Sequence, residues 1–155
     1  MARSLSERVA IMGIYAALYV AATEVLAPIS FLIFNIRVAD ALRGLLLFFP
    51  TEVIIGNFVG HFVANLFSPL GVIDLASPIF STLGLIVAWK LSKIDVPLGY
   101  AAHWLILSTW LVYLLHQTLG LDYMILIPTI YPQVMVSDLL LPMLVYDLLK
   151  IRWKG

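Results

Sequence analysis

Cysteine is absent from this 155-residue chain, and charged residues are scarce. The lack of cysteine excludes disulfides, thiolate metal sites and cysteine nucleophiles, and it leaves the redox compartment open. Charged residues make up 12% of the sequence and hydrophobic residues 63%, whereas soluble domains carry about 25% charged residues. These proportions predict an integral, multi-pass protein of the cell membrane. The net charge of zero gives no indication of a nucleic-acid partner.

The sequence also lacks the common catalytic motifs. It contains no Walker-type phosphate loop, so we expect no ATP hydrolysis by that route. Its serines and histidines show no nucleophile arrangement, and His61, His103 and His116 do not have the spacing of metal ligands. The sequence therefore predicts no enzyme, no metal site and no cofactor.

Long apolar stretches separated by proline, glycine and polar residues predict six membrane-spanning helices. The expected spans are residues 7–27, 38–49, 52–67, 72–91, 98–119 and 131–151. Gly120, Asp122, Tyr123 and Pro128 predict a loop between the last two spans. Without repeats or low-complexity tracts, residues 1–155 are expected to form one membrane domain. An all-α bundle follows, because unpaired backbone groups cannot face lipid.

Basic residues near span ends favour the cytoplasmic side of a membrane. When six spans are threaded in order, most basic residues fall on one side: Arg3, Arg8, Lys90, Lys93, Lys150, Arg152 and Lys154. Arg37 and Arg43 fall toward the other side. This distribution predicts cytoplasmic N and C termini, and it places the segment 35–43 near an outer mouth.

The segment 35–43 carries Arg37, Asp40 and Arg43 at intervals of three residues, which makes them neighbours on a helix. Each such charge costs about 2.5 to 3.5 kcal/mol at the centre of a bilayer. The three charges therefore indicate an interface, a cavity or a partner. As the structural alternative, Arg37 pairs with Asp40 or Asp138 and locks the bundle.

Polar side chains in the outer halves of several spans predict a pocket that opens outward, because lipid offers them no partners. These residues are Glu24, Arg37, Asp40, Asn65, Asp74, His116, Gln117 and Asp138. Carboxylates outnumber cations in this set. The excess favours a ligand that is rich in hydrogen-bond donors or carries a positive charge.

Small residues predict two close helix contacts. Gly56, Gly60 and Ala64 form a strip that permits close helix approach. Ala17 and Ala21 permit the docking of another helix, and internal packing accounts for them equally well.

Polar and aromatic residues on the third, fourth and fifth spans are interpreted individually. Asn57 is interpreted as interhelical hydrogen bonding, and Asn65 as a ligand contact. Asp74 and Ser77 share one helix side, where Pro78 predicts a kink. Trp110, Tyr113 and Gln117 share another side that could hold a planar ligand, although such aromatic residues also serve packing or interfacial anchoring.

Several of these motifs together resemble the QueT family. They are Ala17 and Ala21, the run 37–42 (RVADAL), the FFP helix end at 48–50, the stretch 56–66, the GVID start at 71–74 with STL at 81–83, and the acidic residue of the last span. QueT proteins are substrate-binding (S) components of energy-coupling factor transporters. The resemblance implies capture of a queuosine precursor, a 7-deazaguanine such as preQ1, from outside the cell.

The resemblance also implies partners: a transmembrane coupling subunit, contacted through Ala17 and Ala21, and two ATP-binding subunits. In that interpretation Asp40 or Asp138 binds the guanine-like edge and Glu24 or Asp74 the cation. The other expected contacts come from Arg37, Asn65, Gln117, and Tyr113 or Trp110. The alternatives are an S component for thiamine, riboflavin or biotin, and a self-sufficient cation- or proton-coupled carrier.

Overall fold

The computed structural model describes residues 3–31 and 35–153, with side chains up to residue 151. Within these ranges the chain is helical and contains no strand. The α-helices are α1 (Leu5–Val25), α2 (Ala27–Ser30), α3 (Pro50–Asn65), α4 (Ser77–Leu91), α5 (Val96–Leu119), α6 (Tyr123–Met135) and α7 (Leu141–Trp153). A first 3₁₀ helix covers Val38–Leu45, a second covers Gly71–Ala76, and a π-helical segment covers Val136–Leu140.

Three helical stretches in the described part of the chain are long and apolar enough to cross a membrane. They are Leu5–Val25, Gly71–Leu91 and Val96–Leu119. The all-helical prediction is confirmed, whereas the six-span count, the orientation of the termini and the single domain stay predictions. Of the basic residues used to predict orientation, Lys154 lies outside the described residues, and nothing is described of the Arg152 side chain.

The loop between the last two spans is shorter than predicted: residues 120–122 are not helical, but helix begins again directly after Asp122. The Asp122 side chain accepts a hydrogen bond from the amide of Met124 at 2.8 Å and caps α6. Pro128 and Pro132 both lie inside α6. In a soluble protein these prolines would mark breaks, but membrane helices tolerate them. Helix α6, the π segment and α7 consequently form one continuous helical rod.

The second expected span is a 3₁₀ helix of eight residues. At about 2 Å per residue it extends about 16 Å, which by itself is too short for a hydrocarbon core of about 30 Å. It packs instead against α7 and α1. Gly44 allows the contact with α7, since a Cβ atom there would lie 2.5 Å from the carbonyl oxygen of Pro142.

Helices α1 and α3 meet through the predicted strip of small residues, and this prediction is confirmed. A Cβ atom added at Gly60 would lie 3.0 Å from the carbonyl oxygen of Ala16 and 3.0 Å from Cβ of Tyr19. Gly56 is equally close to Met12 and Tyr15. The strip therefore fixes the distance between the two helices.

We expect Gly60→Leu to lower the free energy of unfolding by about 1–3 kcal/mol, because overpacking separates α1 from α3. The midpoint of thermal unfolding in detergent measures the loss. Gly13→Leu is the matched control, since the space around the Gly13 Cβ position is open to 4 Å. Equal destabilisation by the two substitutions would contradict the role of the strip.

Candidate functional site

A polar cavity lies where the two 3₁₀ helices, α3, α5 and the π segment meet. Its cavity volume is about 40 Å³. The described residues that line it are Asn35, Arg37, Asp40, Arg43, His61, Asp74, Ser77, Leu107, Trp110, Leu111, Val134, Ser137 and Asp138. Six of these thirteen residues have ionisable side chains, although the surrounding chain is strongly apolar.

Arg43 is fully buried and connects two carboxylates of this cavity. Its Nη2 atom lies 2.7 Å from Oδ1 of Asp40, and its Nη1 atom donates a hydrogen bond to Oδ1 of Asp138. The Asp40 pair spans three residues of the first 3₁₀ helix, where side chains at this interval face the same way. The Asp138 pair ties that helix to the distant π segment.

Further contacts of Arg43 reach three other helices. The guanidinium donates hydrogen bonds to Asn57 Oδ1 at 3.0 Å, to Ser81 Oγ at 3.2 Å and to the Tyr19 hydroxyl at 3.3 Å. Asn57 in turn donates to Ser81 at 3.0 Å, which confirms its interpretation as interhelical hydrogen bonding. Tyr100 donates from α5 to the main-chain oxygen of Arg43 at 3.0 Å. Arg43 is therefore the structural hub of the bundle.

The expected structural pairing of Arg37 with Asp40 or Asp138 is wrong, because Arg43 occupies both of those carboxylates. Arg37 instead donates to Nε2 of His61 and, at 3.4 Å, to the main-chain oxygen of Ser30. Arg37 precedes the first 3₁₀ helix in extended backbone, so its side chain takes a different direction from that of Arg43.

Phe31 and Asp74 complete the surroundings of Arg37. Its guanidinium carbon lies 4.8 Å from the centre of the Phe31 ring, a favourable cation–π distance. Its Nη2 atom lies 3.9 Å from Oδ2 of Asp74. Arg37 therefore joins the segment after α1 to α3 and to the second 3₁₀ helix.

Asp74 differs from the other cavity carboxylates in its contacts. Its Oδ1 atom accepts a hydrogen bond from Ser77, which itself accepts one from Nε1 of Trp110 at 2.8 Å. Its Oδ2 atom is buried and, within the described residues, has no hydrogen-bond partner. The main-chain oxygen of Asp74 accepts a hydrogen bond from Asn65 at 2.9 Å.

The π segment places Asp138 in the cavity wall. The Leu141 amide donates to the carbonyl oxygen of Val136, five residues back, and such π-bulges are common at functional sites. Nδ1 of the buried His103 lies 3.6 Å from Oδ1 of Asp138. Gly84 makes room for that ring, since a Cβ atom there would lie 2.8 Å from its Cδ2 atom.

The structure brings together five of the nine residues predicted to bind substrate. The residues that line the cavity are Arg37, Asp40, Asp74, Trp110 and Asp138. The remaining four, which do not line it among the described residues, are Glu24, Asn65, Tyr113 and Gln117. Asn65 is buried behind Asp74, Gln117 is exposed, and Tyr113, which is 47% exposed, lies beside a separate apolar groove with Phe80.

Several lining residues escaped the sequence analysis as site residues. Ser77 shares a helix side with Asp74, and Ser137 is adjacent to Asp138 in the sequence, so both had a local signal. Asn35 is the first residue of the described stretch 35–37, which has no regular secondary structure. Leu107, Leu111 and Val134 are apolar, and their sequence pattern does not distinguish them from residues that face lipid.

The arrangement provides fixed donors and acceptors for a small polar molecule. The described residues contain no cluster of three or more histidine, aspartate or glutamate side chains that could hold a metal ion. A buried, charged cavity inside an apolar helical bundle is typical of membrane proteins that bind and move small polar substrates. The fold and the cavity thus fit the class of membrane proteins that bind or transport small polar molecules.

The particular family follows from comparison with known proteins. A family model described as QueT transporter matches residues 9–151. The chain therefore belongs to the QueT transporter family, which confirms the resemblance seen in the sequence. No curated protein and no solved structure shows significant similarity to it. Membership places the chain among transport proteins, and the absence of catalytic activity stays a prediction.

Proposed function

We propose that this protein is the substrate-capture (S) subunit of an energy-coupling factor importer of the cell membrane. Its ligand is a queuosine precursor, a 7-deazaguanine such as preQ1, which it binds from the extracellular side. Membership of the QueT transporter family supports transport, and the charged residues that line the cavity support this class of ligand. The protein itself carries out no reaction in this proposal.

The observation that carries the proposal is the charge balance of the cavity. Among its described lining residues, Arg37 and Arg43 face the three carboxylates of Asp40, Asp74 and Asp138, which leaves one formal negative charge. A ligand with one positive charge would neutralise it, and the aminomethyl group of preQ1 is such a cation at neutral pH. Buried charge is costly unless it is paired, so this match stabilises the complex.

The two carboxylates held by Arg43 suit the other end of the ligand. Arg43 contacts Oδ1 of both Asp40 and Asp138, and we assign the second oxygen of each to the N–H groups of the guanine-like edge. Carboxylates accept such adjacent donors well. Because Arg43 fixes both side chains, little side-chain entropy is lost when the ligand binds.

The first helix supports the assignment of partners. Ala17 and Ala21 are exposed on α1, on the side away from the buried Tyr15 and Tyr19. The α3 contact of α1 therefore leaves this small-residue strip free for another helix. In this proposal the strip contacts the transmembrane coupling subunit, and two ATP-binding subunits drive the transport.

We expect the purified protein to bind preQ1 at least about ten-fold more tightly than its 7-cyano analogue, since charge-assisted hydrogen bonds contribute about 1.5–3 kcal/mol. The analogue retains the ring and its N–H edge but carries no cation. Isothermal titration in detergent measures both affinities. Thiamine, riboflavin and biotin serve as comparison ligands, and tighter binding of one of these three would contradict the proposed substrate.

A further inference from the structure

We propose that Asp74 is the carboxylate that receives the positive charge of the ligand, and that Ser77 and Trp110 hold it in position for this role. The inference rests on the proposed function. It adds the residues that decide whether a ligand must be cationic.

Asp40 and Asp138 already have a cation. Each carboxylate contacts the buried guanidinium of Arg43, and Oδ1 of Asp40 also accepts a hydrogen bond from Tyr19 at 2.8 Å. A second positive charge beside them would meet repulsion from Arg43. These two carboxylates are therefore suited to neutral N–H donors and not to an ammonium group.

Asp74 has no such close cation. Its side chain is buried, and the Nη2 atom of Arg37 lies 3.9 Å from its Oδ2 atom. That distance is too long for a hydrogen bond. Within the described residues Oδ2 accepts no hydrogen bond, and a buried acceptor in this state is costly. An ammonium group of a ligand would supply the missing donor and would bring a positive charge closer to Oδ2 than Arg37 does.

Ser77 and Trp110 direct this carboxylate. The indole N–H of Trp110 donates to Ser77 Oγ at 2.8 Å, so the single hydroxyl hydrogen of Ser77 points to Oδ1 of Asp74. The Trp110 indole is itself fixed by stacking on Phe80 at 3.9 Å with an interplanar angle of 13°. Oδ1 is thereby occupied, and Oδ2 is left for the ligand.

Asn65 fixes the backbone of the same residue. Its side-chain amide donates to the main-chain oxygen of Asp74 at 2.9 Å. Backbone and side chain of Asp74 are thus both held before a ligand arrives, and such preorganisation increases affinity and selectivity. The contribution that we assign to Trp110 is its N–H donor. Stacking on a ligand is not assigned to it, because Phe80 covers one face of its ring.

The test is the ratio of the affinities for preQ1 and its 7-cyano analogue, measured by isothermal titration with purified protein. We expect a ratio of about ten or more for the unmodified chain, and a ratio within about two-fold of one for Asp74→Asn. Ser77→Ala should lower the ratio to an intermediate value, and Ser77→Thr, which keeps the hydroxyl, should restore it. A merely structural role would weaken both ligands equally and leave the ratio unchanged.

The outcomes separate this inference from the proposed function. If the unmodified protein binds neither compound, the proposed function fails and the inference fails with it. If it prefers preQ1 and Asp74→Asn keeps that preference, only the inference is overturned. Loss of the preference in Asp138→Asn, with Asp74→Asn unchanged, overturns it as well. Should Asp74→Asn not fold, Ser77→Ala and Trp110→Phe decide by the same ratio.

Discussion

Replacing Arg43 by methionine is expected to lower the free energy of unfolding by about 3–5 kcal/mol, the usual cost of breaking a buried ion pair from one side. The substitution keeps an unbranched side chain but leaves Asp40 and Asp138 without their shared guanidinium. It also removes donors to Asn57 and Ser81. Asp40 lies in the first 3₁₀ helix and Asp138 in the π segment. Repulsion between the two carboxylates would therefore push these two segments apart. Thermal or denaturant unfolding in detergent measures the effect.

Arg8→Met is the matched control for this prediction. Arg8 Nε lies 2.8 Å from Glu52 Oε1, and the Arg8 side chain is 39% exposed although that of Glu52 is buried. Because water screens this ion pair from one side, its loss should cost less than the loss of Arg43. A triple variant that adds Asp40→Asn and Asp138→Asn to Arg43→Met should recover part of the loss, since it removes the uncompensated charge. If Arg43→Met lowers the free energy of unfolding no more than Arg8→Met does, Arg43 is not the structural hub of the bundle.

Composition and residue spacing were sufficient to predict an all-helical protein and one close contact between helices. The high apolar content leaves helices as the way to satisfy backbone groups in lipid. The four-residue interval of Gly56, Gly60 and Ala64 identified the face that packs on α1. Such signals are local, because helix type and small-residue strips depend on residues a few positions apart.

Two features of the fold depend on context that one sequence does not reveal. Pro128 and Pro132 indicate a break by their chemistry, yet they lie within α6. The segment 38–45 has the composition of a helix, but its 3₁₀ geometry arises in close packing against α7, where Gly44 meets Pro142. In both cases the surroundings outweigh the intrinsic preference of the residue.

For the site, too, the sequence indicates which residue types are present but not which residues pair with each other. The sequence indicated Arg37, Asp40, Asp74 and Asp138 as buried charges, and the structure places all of them around one cavity. It did not indicate which arginine pairs with which carboxylate, because Arg43 and Asp138 are 95 residues apart. Residue types do not reveal pairing partners. They therefore could not distinguish Asp40 and Asp138, which Arg43 holds, from Asp74, which we assign to the cation of the ligand.

Replacing Ala21 by tryptophan is expected to reduce transport strongly while leaving ligand binding intact. In the proposed complex the exposed strip of Ala17 and Ala21 lets a helix of the coupling subunit approach closely. A tryptophan there would hold the two helices apart, at a cost of about 2 kcal/mol or more for a central contact, equivalent to about thirty-fold in affinity. Uptake of radiolabelled preQ1 into proteoliposomes that contain the full complex should fall accordingly.

Leu83→Trp is the control, because Leu83 is an exposed apolar residue on a different helix, α4, and is 51% accessible. It adds the same side chain to an exposed position on α4 and should leave uptake unchanged. Titration with preQ1 should give the same affinity for both variants as for the unmodified chain, since neither residue lines the cavity formed by the described residues. Normal uptake by Ala21→Trp would show that the strip of Ala17 and Ala21 does not contact the coupling subunit. Uptake by the chain alone, driven by an ion gradient, would instead favour a self-sufficient carrier, because an S subunit depends on its ATP-binding partners.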